Sequence, residues 1–547
     1  MPPVDENPEP ELKGTPVRGS RTGRRSLVCY VLLLMSIAFL AAVRFHFRNM
    51  PLERDEGEYA YVGQLMLHGI PPYKLAANMK LPGSYAAYAG IMATFGQTTA
   101  GIRVGMIFVT SLSALLVFLL GKYLYGKVAG TVAGIAYILL AARPGVMGMD
   151  GHATHFVVLA ALGGILLLLH AIDRASISLF LASGLLLGVA FLMKQPGILF
   201  AVFAVTYWLV RERTGSLPKK NLAWRGAVLL LCTALPYILT CLYLLRAGVF
   251  GTFWFWTWDY ARAYGSANNL SAGWQNLKIA LPWAVRPFVL WELVAIGLAA
   301  PLWSRHGRER GGFVAGFFLA SCIAVCPGLY FRPHYFIVLL PAASLCIGIA
   351  VGCAQRELTS RNWSRLTPLP VLYFAVSFLV ALAGQWKTFA HLDPVALSRA
   401  MHKGEPYADA VRAADFIAAR AAPGDQIGIL GSEPEICFYT RLRCASSFLY
   451  VYPLMERQRF ARRMQEQFMQ EMQSSRPRFL VYVDDERSWG WKPTLAENRA
   501  FLERAWAFAN NGYDLEFQLS APPIDTHGGP DWLWDDGPGL YVFRRED

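Results

Sequence analysis

Asp55, Glu56 and Glu58 stand within four positions of one another, shortly beyond an apolar run, Leu27 to Val43, long enough to cross a bilayer. A charge beside the hydrocarbon costs several kcal/mol unless it is paired or hydrated, so such groups are functional candidates by default. They are not alone. Lys80, Arg143, Asp150, Lys194, Arg262 and Arg332 also fall at the ends of apolar runs, while the middles of those runs are nearly free of charge. Any one of these residues is explained as a helix-end anchor. Eight on one face, with Asp55 and Glu56 counted, are explained less well that way. Asp150, His152 and His155 also have a spacing compatible with zinc ligands, and their plain alternative is histidines satisfied by backbone at a helix end. A divalent metal is therefore open, and no cofactor is required.

The elements that must position these residues are mostly membrane helices. The chain of 547 residues is 54% hydrophobic and 16% charged, whereas a soluble protein carries about 25% charge. Apolar segments recur near 27–43, 102–120, 128–143, 154–172, 177–193, 196–210, 226–245, 287–302, 313–330, 335–354 and 367–384. Their lengths predict eleven spans, and the segment 83–97 is expected to be juxtamembrane or re-entrant. The net charge of +13 is not a nucleic-acid signal, because the basic residues sit in short loops between apolar runs. With the tail 1–26 placed in the cytoplasm as a disordered segment, the cytoplasmic loops collect nineteen Lys and Arg, among them Lys122, Arg174, Arg211, Arg308 and Arg356. The opposite loops are poorer, as the positive-inside rule requires. The organisation expected is a membrane domain over 27–385, with a first outer loop at 44–101, and an extracytoplasmic domain over 386–547.

That last domain alternates helix-like and strand-like segments, which argues an α/β sandwich. Helices are expected at 405–421, 453–474 and 495–511. Strands are expected at 426–430, in "EICFY", at 478–483, in "DLEFQLS" and in "GLYVFRR". Cys437 and Cys444 flank "FYTRLR" and suit two ends of a hairpin; outside the cytoplasm they can pair or stay free. The aromatic stretch Phe253 to Gly265 reads either as an interfacial belt or as a wall for a lipid chain or sugar face. Within the first outer loop, Asp55 and Glu58 have capping-box spacing. Tyr59, Val62, Leu65 and Met66 make an apolar face, and Gly69 with Pro71 and Pro72 stops the helix. The local expectation is an amphipathic helix on the membrane surface.

The stretch "RDEGEYAYVGQLMLHGIPPY…MKLPGSYAAYA" resembles the first outer loop of GT-C glycosyltransferases related to dolichyl-phosphate-mannose–protein mannosyltransferases and bacterial lipid A aminoarabinose transferases. The family's Asp-Glu pair is matched by Asp55-Glu56. Its Lys-Pro-Pro-like turn is matched by Lys80-Leu81-Pro82, with Leu81 departing from the usual Pro. The resemblance continues through "IRVGMIFVTSLSALLVFLLGKYLYGKVAG", Asp150, "FLMKQPGILF" and "RPHYFIVLLPAASL", and in the last domain through "GSEPEICFYTRLR".

The resemblance implies an all-α polytopic membrane fold of the GT-C type, with a C-terminal α/β domain, in the plasma (inner) membrane. It implies transfer of a sugar from a polyprenyl-phosphate donor in the lipid bilayer to a glycan, lipid or protein acceptor. Asp55 would be the general base, with Glu56 sharing that role or holding a sugar hydroxyl or metal. Lys80, Lys194 and Arg332 would bind the leaving phosphate. Asp150, His334 and Tyr335 would bind substrate hydroxyls, and the displacement would be single and inverting. A transporter or lipid flippase is the alternative, but it should show internal repeats and midplane charges, and neither is evident. A receptor built around the last domain would leave the polar span ends without a task.

Overall fold

The structure, a computed structural model, describes residues 19–213, 219–402, 405–490, 496–520 and 539–545. Every one of the eleven apolar stretches is helical. Six helices among the described residues are long and apolar enough to cross a membrane: Leu27–His46, Thr99–Tyr125, Ala153–Arg174, Leu222–Arg246, Pro333–Ser360 and Ser364–His391. Leu270–Ala284 and Phe288–Leu298, bent by 105°, make a seventh if counted as one span, and Lys127–Ala141 and Ile177–Met193 are shorter apolar helices. The protein is a multi-pass membrane protein. The first helix starts at Gly19, so part of the tail expected to be disordered is helical; residues 1–18 lie outside the described residues.

The bundle is organised around the helix Leu340–Ser360, which packs on Lys127–Ala141 and Phe288–Leu298. Small residues allow this approach, as expected between helices in lipid. A Cβ at Gly348 would meet the Ala129 carbonyl oxygen at 2.2 Å, and one at Gly297 would meet that of Cys346.

The C-terminal domain carries a five-stranded mixed sheet. Its strands are β1 (Gln426–Leu430), β2 (Arg443–Cys444), β3 (Phe479–Asp484), β4 (Tyr513–Ser520) and β5 (Gly539–Arg545). Their order is β2-β1-β3-β5-β4. β1 runs parallel to β2 and β3, while β5 is antiparallel to β3 and β4, with Val481 opposite Val542. All six residues of β3 are buried, as in a strand covered on both faces.

Two expectations fail in this domain. "EICFY" is not a strand but the short helix Glu435–Thr440, entered through Pro434 and stopped by Arg441 in the left-handed region. Pro434 fixes a helical φ at the entry. The polar helix expected at 453–474 is two pieces, Tyr452–Met455 and Ala461–Ser475. Cys437 and Cys444 form a disulfide, with Cα atoms 5.9 Å apart.

The helix after the first span also departs from expectation. It runs from Arg54 to Leu67 and stops at His68 and Gly69, as read from the sequence. Its capping box, however, is Glu53 with Glu56, two residues earlier than the Asp55–Glu58 pairing expected. Nor does it lie on a surface, because every residue from Glu56 to Leu65 is buried. One side packs on the helix Pro82–Phe95, where Gly63 sits against Ala89, and the other on Glu435–Thr440. A single apolar core thus joins this helix to the sheet domain, including Leu52, Tyr61, Ile436 and Leu454.

The closest approach is at Gly57, where a Cβ would lie 2.6 Å from the Glu435 backbone nitrogen. Gly57→Ala is therefore expected to cost about 1–3 kcal/mol of overpacking and to loosen the sheet domain. Limited proteolysis should cut the variant's C-terminal domain faster than the wild type's; equal rates would contradict the packing.

Candidate active site

Glu53 caps the helix, so Asp55 and Glu58 can both meet Lys80 while Glu56 meets Arg103. The Glu53 carboxylate accepts from the Glu56 backbone N–H at 2.9 Å, and Glu56 accepts from the Glu53 N–H at 3.2 Å. Asp55, one residue after the helix start, faces a cavity. Glu56 points the other way, into the Arg103 guanidinium, with one contact at 2.7 Å and a second, shorter one. It also accepts from the Gly151 backbone N–H. Arg103 further donates to the carbonyls of Met149 at 3.1 Å and Pro51 at 3.2 Å. This buried knot fixes the helix start to the loop carrying Asp150 and His152. Glu56 is therefore one turn away from the cavity, with its hydrogen-bonding capacity engaged.

The cavity, about 200 Å³, is lined by Asp55, Lys80, Lys194, Arg332, His334 and Tyr335, together with Tyr59, Tyr264, Gln195 and Tyr452. Six residues singled out in the sequence meet here from four separate segments. Asp150 does not: it is fully buried behind the wall, 3.6 Å from His402 Nε2 and 3.8 Å from both Arg103 and His152. Arg143 instead donates to the carbonyls of Trp283 and Ala284, and Arg262 is exposed.

Lys80 is the hub. Its ammonium lies 2.5 Å from Asp55 Oδ1 and 2.8 Å from Glu58 Oε2, and donates to the Tyr450 hydroxyl at 3.1 Å. Glu58 is fixed from behind by Asn78 at 2.9 Å and by the Tyr85 hydroxyl. The loop preceding Lys80 is tied by the Tyr73 hydroxyl, which donates to the Lys80 carbonyl at 2.6 Å, and by Gln195, which donates to the Met79 carbonyl at 2.9 Å. Leu81, where the family turn has Pro, is buried and precedes the helix beginning at Pro82.

Burial alone would raise the Asp55 carboxyl. The Lys80 ammonium bonded to it outweighs burial and holds the group well below the usual carboxylate range. Burial pushes the Lys194 ammonium down to about 7; Asp55 supports its charge, while Lys80 and Arg332 oppose it. Lys194 also stands 4.2 Å over the Tyr335 ring.

His152 and His334 stack at 4.0 Å beside Asp55. His152 Nδ1 lies 3.8 Å and His334 Nε2 3.9 Å from Asp55 Oδ2. Among the described residues this trio is the one set whose ligand atoms converge within 4.8 Å. Among the described residues neither His152 ring nitrogen has a hydrogen-bond partner, and burial pushes that imidazole down to about 4, so it is neutral at neutral pH. The trio has the donor chemistry for a divalent cation. The set expected from spacing, Asp150, His152 and His155, does not converge: His152 lies 3.8 Å from Asp150 as from Asp55, but His155 is buried in the helix Ala153–Arg174 and is not part of the converging trio.

Sequence reasoning missed Arg103, Tyr450 and Tyr452. Arg103 is the second residue of the apolar run 102–120. The two tyrosines arrive from the C-terminal domain, and no local pattern marks them.

Comparison with known proteins agrees with this architecture. Residues 80–239 match the family described as dolichyl-phosphate-mannose-protein mannosyltransferase. The undecaprenyl phosphate-alpha-4-amino-4-deoxy-L-arabinose arabinosyl transferase of Pseudomonas aeruginosa PAO1 is 26% identical over 415 residues, 73% of this chain. The match spans 62% of that relative's length. The crystal structure of ArnT from Cupriavidus metallidurans bound to undecaprenyl phosphate superposes with a TM-score of 0.59 at 18% identity, covering 94% of this chain and 97% of the other. An oligosaccharyltransferase from Archaeoglobus fulgidus superposes with a TM-score of 0.51 at 13% identity, over 90% and 73% of the two chains. The chain has the GT-C fold of these structures, and its sequence is similar to the mannosyltransferase family over residues 80–239 and to the aminoarabinose transferase over 73% of its length.

Proposed function

We propose that this protein is a membrane glycosyltransferase that moves a sugar from a polyprenyl-phosphate donor to an acceptor hydroxyl, by a single inverting displacement. The observation that carries the reading is the joining of one oriented carboxylate and three cations in a single cavity at the end of the bundle. The acceptor oxygen attacks the anomeric carbon as Asp55 takes its proton. The bond from that carbon to the phosphate oxygen breaks, and the electron pair leaves with the lipid phosphate. Lys80, Lys194 and Arg332 stabilise the charge that develops there, where low dielectric strengthens each contact.

An aspartate held below its usual range is a weak base. As the donor phosphate draws Lys80 away from Asp55, the effect of burial is left to raise the carboxyl and sharpen its basicity. Glu56 acts as a positioning residue through Arg103, as does Asp150 behind the wall. His334 and Tyr335 contact substrate from the cavity. The basic short loops support eleven spans in the plasma membrane, with the N-terminus cytoplasmic and the sheet domain and cavity outside. The boundaries that fit this reading are a membrane domain over 27–385 and an outer domain over 386–547. A transporter or flippase is not favoured, because the charges gather at one end rather than at the midplane.

Asp55→Asn keeps the shape of the side chain and removes its capacity to take a proton. Transfer is expected to fall about 10²–10⁴-fold with membrane insertion unchanged, read as sugar transferred from a radiolabelled lipid donor in vesicles. Wild-type rates in this variant would remove Asp55 as the base.

Lys194 gives a pH signature. Its ammonium, with a pKa of about 7 in the free protein, is raised by a bound phosphate. Phosphate affinity is then greatest below that value and is lost as pH rises. Undecaprenyl phosphate should bind about tenfold more weakly at pH 8.5 than at pH 7, and Lys194→Arg should flatten the slope. A flat wild-type profile would contradict the assignment.

A further inference from the structure

We propose that a second cavity beside the first is the acceptor subsite, and that it takes an anionic saccharide. The name acceptor rests on the transferase reading; the binding chemistry does not. The cavity measures about 440 Å³, within the range of small-ligand sites, and lies where three segments meet. The loop before Lys80 contributes Tyr73 and Lys74, the aromatic stretch, helical over Phe255–Tyr260, contributes Phe255 and Trp256, and the C-terminal domain contributes Phe460 and Arg463.

The two cavities share a wall. One side of the 73–80 loop gives Met79 and Lys80 to the first; the other gives Tyr73, Lys74 and Ala77 to the second. The Tyr73 hydroxyl, bonded to the Lys80 carbonyl, joins the two. Ala77 is itself paired with the C-terminal domain, donating to the Ser447 carbonyl at 3.0 Å. An occupant of the second cavity therefore rests against the segment that sets Lys80.

The lining selects the ligand class. Phe255 and Phe460 meet edge to face at 5.0 Å, and Trp256 packs on Phe448 at 5.8 Å, giving a rigid aromatic floor. Aromatic faces with a few fixed polar groups suit a sugar ring, whose C–H faces are apolar and whose edge carries hydroxyls. Charge adds a second requirement. The one carboxylate in the lining, Glu471, is engaged by Ser446, Ser447 and Gln467 at 2.8–3.1 Å. Lys74 and Arg463 are exposed and make no ion pair among the described residues. Arg463 ends a run in which four of seven residues, 457 to 463, are arginine. Two free cations over a cavity whose acid is already satisfied call for a carboxylate or phosphate on the sugar. A neutral peptide would leave them unmatched.

The test uses purified full-length protein and the exposed double variant Lys74→Glu with Arg463→Glu. Trigalacturonate, neutral maltotriose and undecaprenyl phosphate are titrated against both by calorimetry. Trigalacturonate should bind wild type and bind the variant at least about tenfold more weakly, while undecaprenyl phosphate binds both equally. No trigalacturonate binding to wild type, equal binding to the variant, or equal binding of maltotriose would each overturn the proposal. Failure of undecaprenyl phosphate to bind wild type, with trigalacturonate binding retained, would sink the transferase reading and leave the second site standing.

Discussion

The Lys80 ammonium between Asp55 and Glu58 is the contact on which the site depends. Three charges in a part-buried place are tolerable only because each is paired and held from behind. Glu58 is fixed by Asn78 and Tyr85, and the Lys80 loop by Tyr73 and Gln195. Asp55 is fixed by a helix whose cap is supplied elsewhere, by Glu53. Had Asp55 been the cap, its carboxylate would point at backbone N–H groups and not at the cavity.

The same economy explains why the C-terminal domain is part of the site and not only a cover. Its helix Glu435–Thr440 packs against Gly57. Arg54 pairs with Glu405 at 3.0 Å and with Glu433 at 3.3 Å, and the Leu52 backbone N–H donates to the Tyr439 hydroxyl at 2.8 Å. The Cys437–Cys444 disulfide closes the segment between these contacts, and the Cys444 N–H donates to the Tyr61 hydroxyl at 2.9 Å. Tyr450 then reaches both Lys80 and Asp55. Domain and reaction centre are one apolar core with polar side chains at its edge.

Much of this was legible because isolated charges at the ends of apolar runs are expensive and therefore stand out. Asp55, Lys80, Lys194 and Arg332 were found on that ground and meet in one cavity. Glu56 and Asp150 carry the same sequence signal but are buried outside the cavity lining, because a carboxylate held by Arg103 looks identical in one dimension to one that faces a cavity. Arg103 stands at the start of the run 102–120 and carries the same signal, but its partner Glu56 cannot be read from the sequence. Tyr450 and Tyr452 were invisible because they come nearly four hundred residues later in the chain. The helix Arg54–Leu67 was read correctly in extent but placed on a surface, since a single apolar face does not reveal a second partner. "EICFY" had strand-like composition, yet Pro434 and packing against Gly57 settled it as a helix.

The central claim is that Lys80, Lys194 and Arg332 receive a lipid phosphate beside Asp55. A photoreactive undecaprenyl phosphate, with the reactive group next to the phosphorus, tests it most directly. After irradiation in membranes, mass spectrometry should find the label on segments around residues 79–81, 193–196 and 332–335, competed by unlabelled undecaprenyl phosphate. Label confined to the basic loops at the other end of the bundle, around 211–213 or 305–310, would contradict the account.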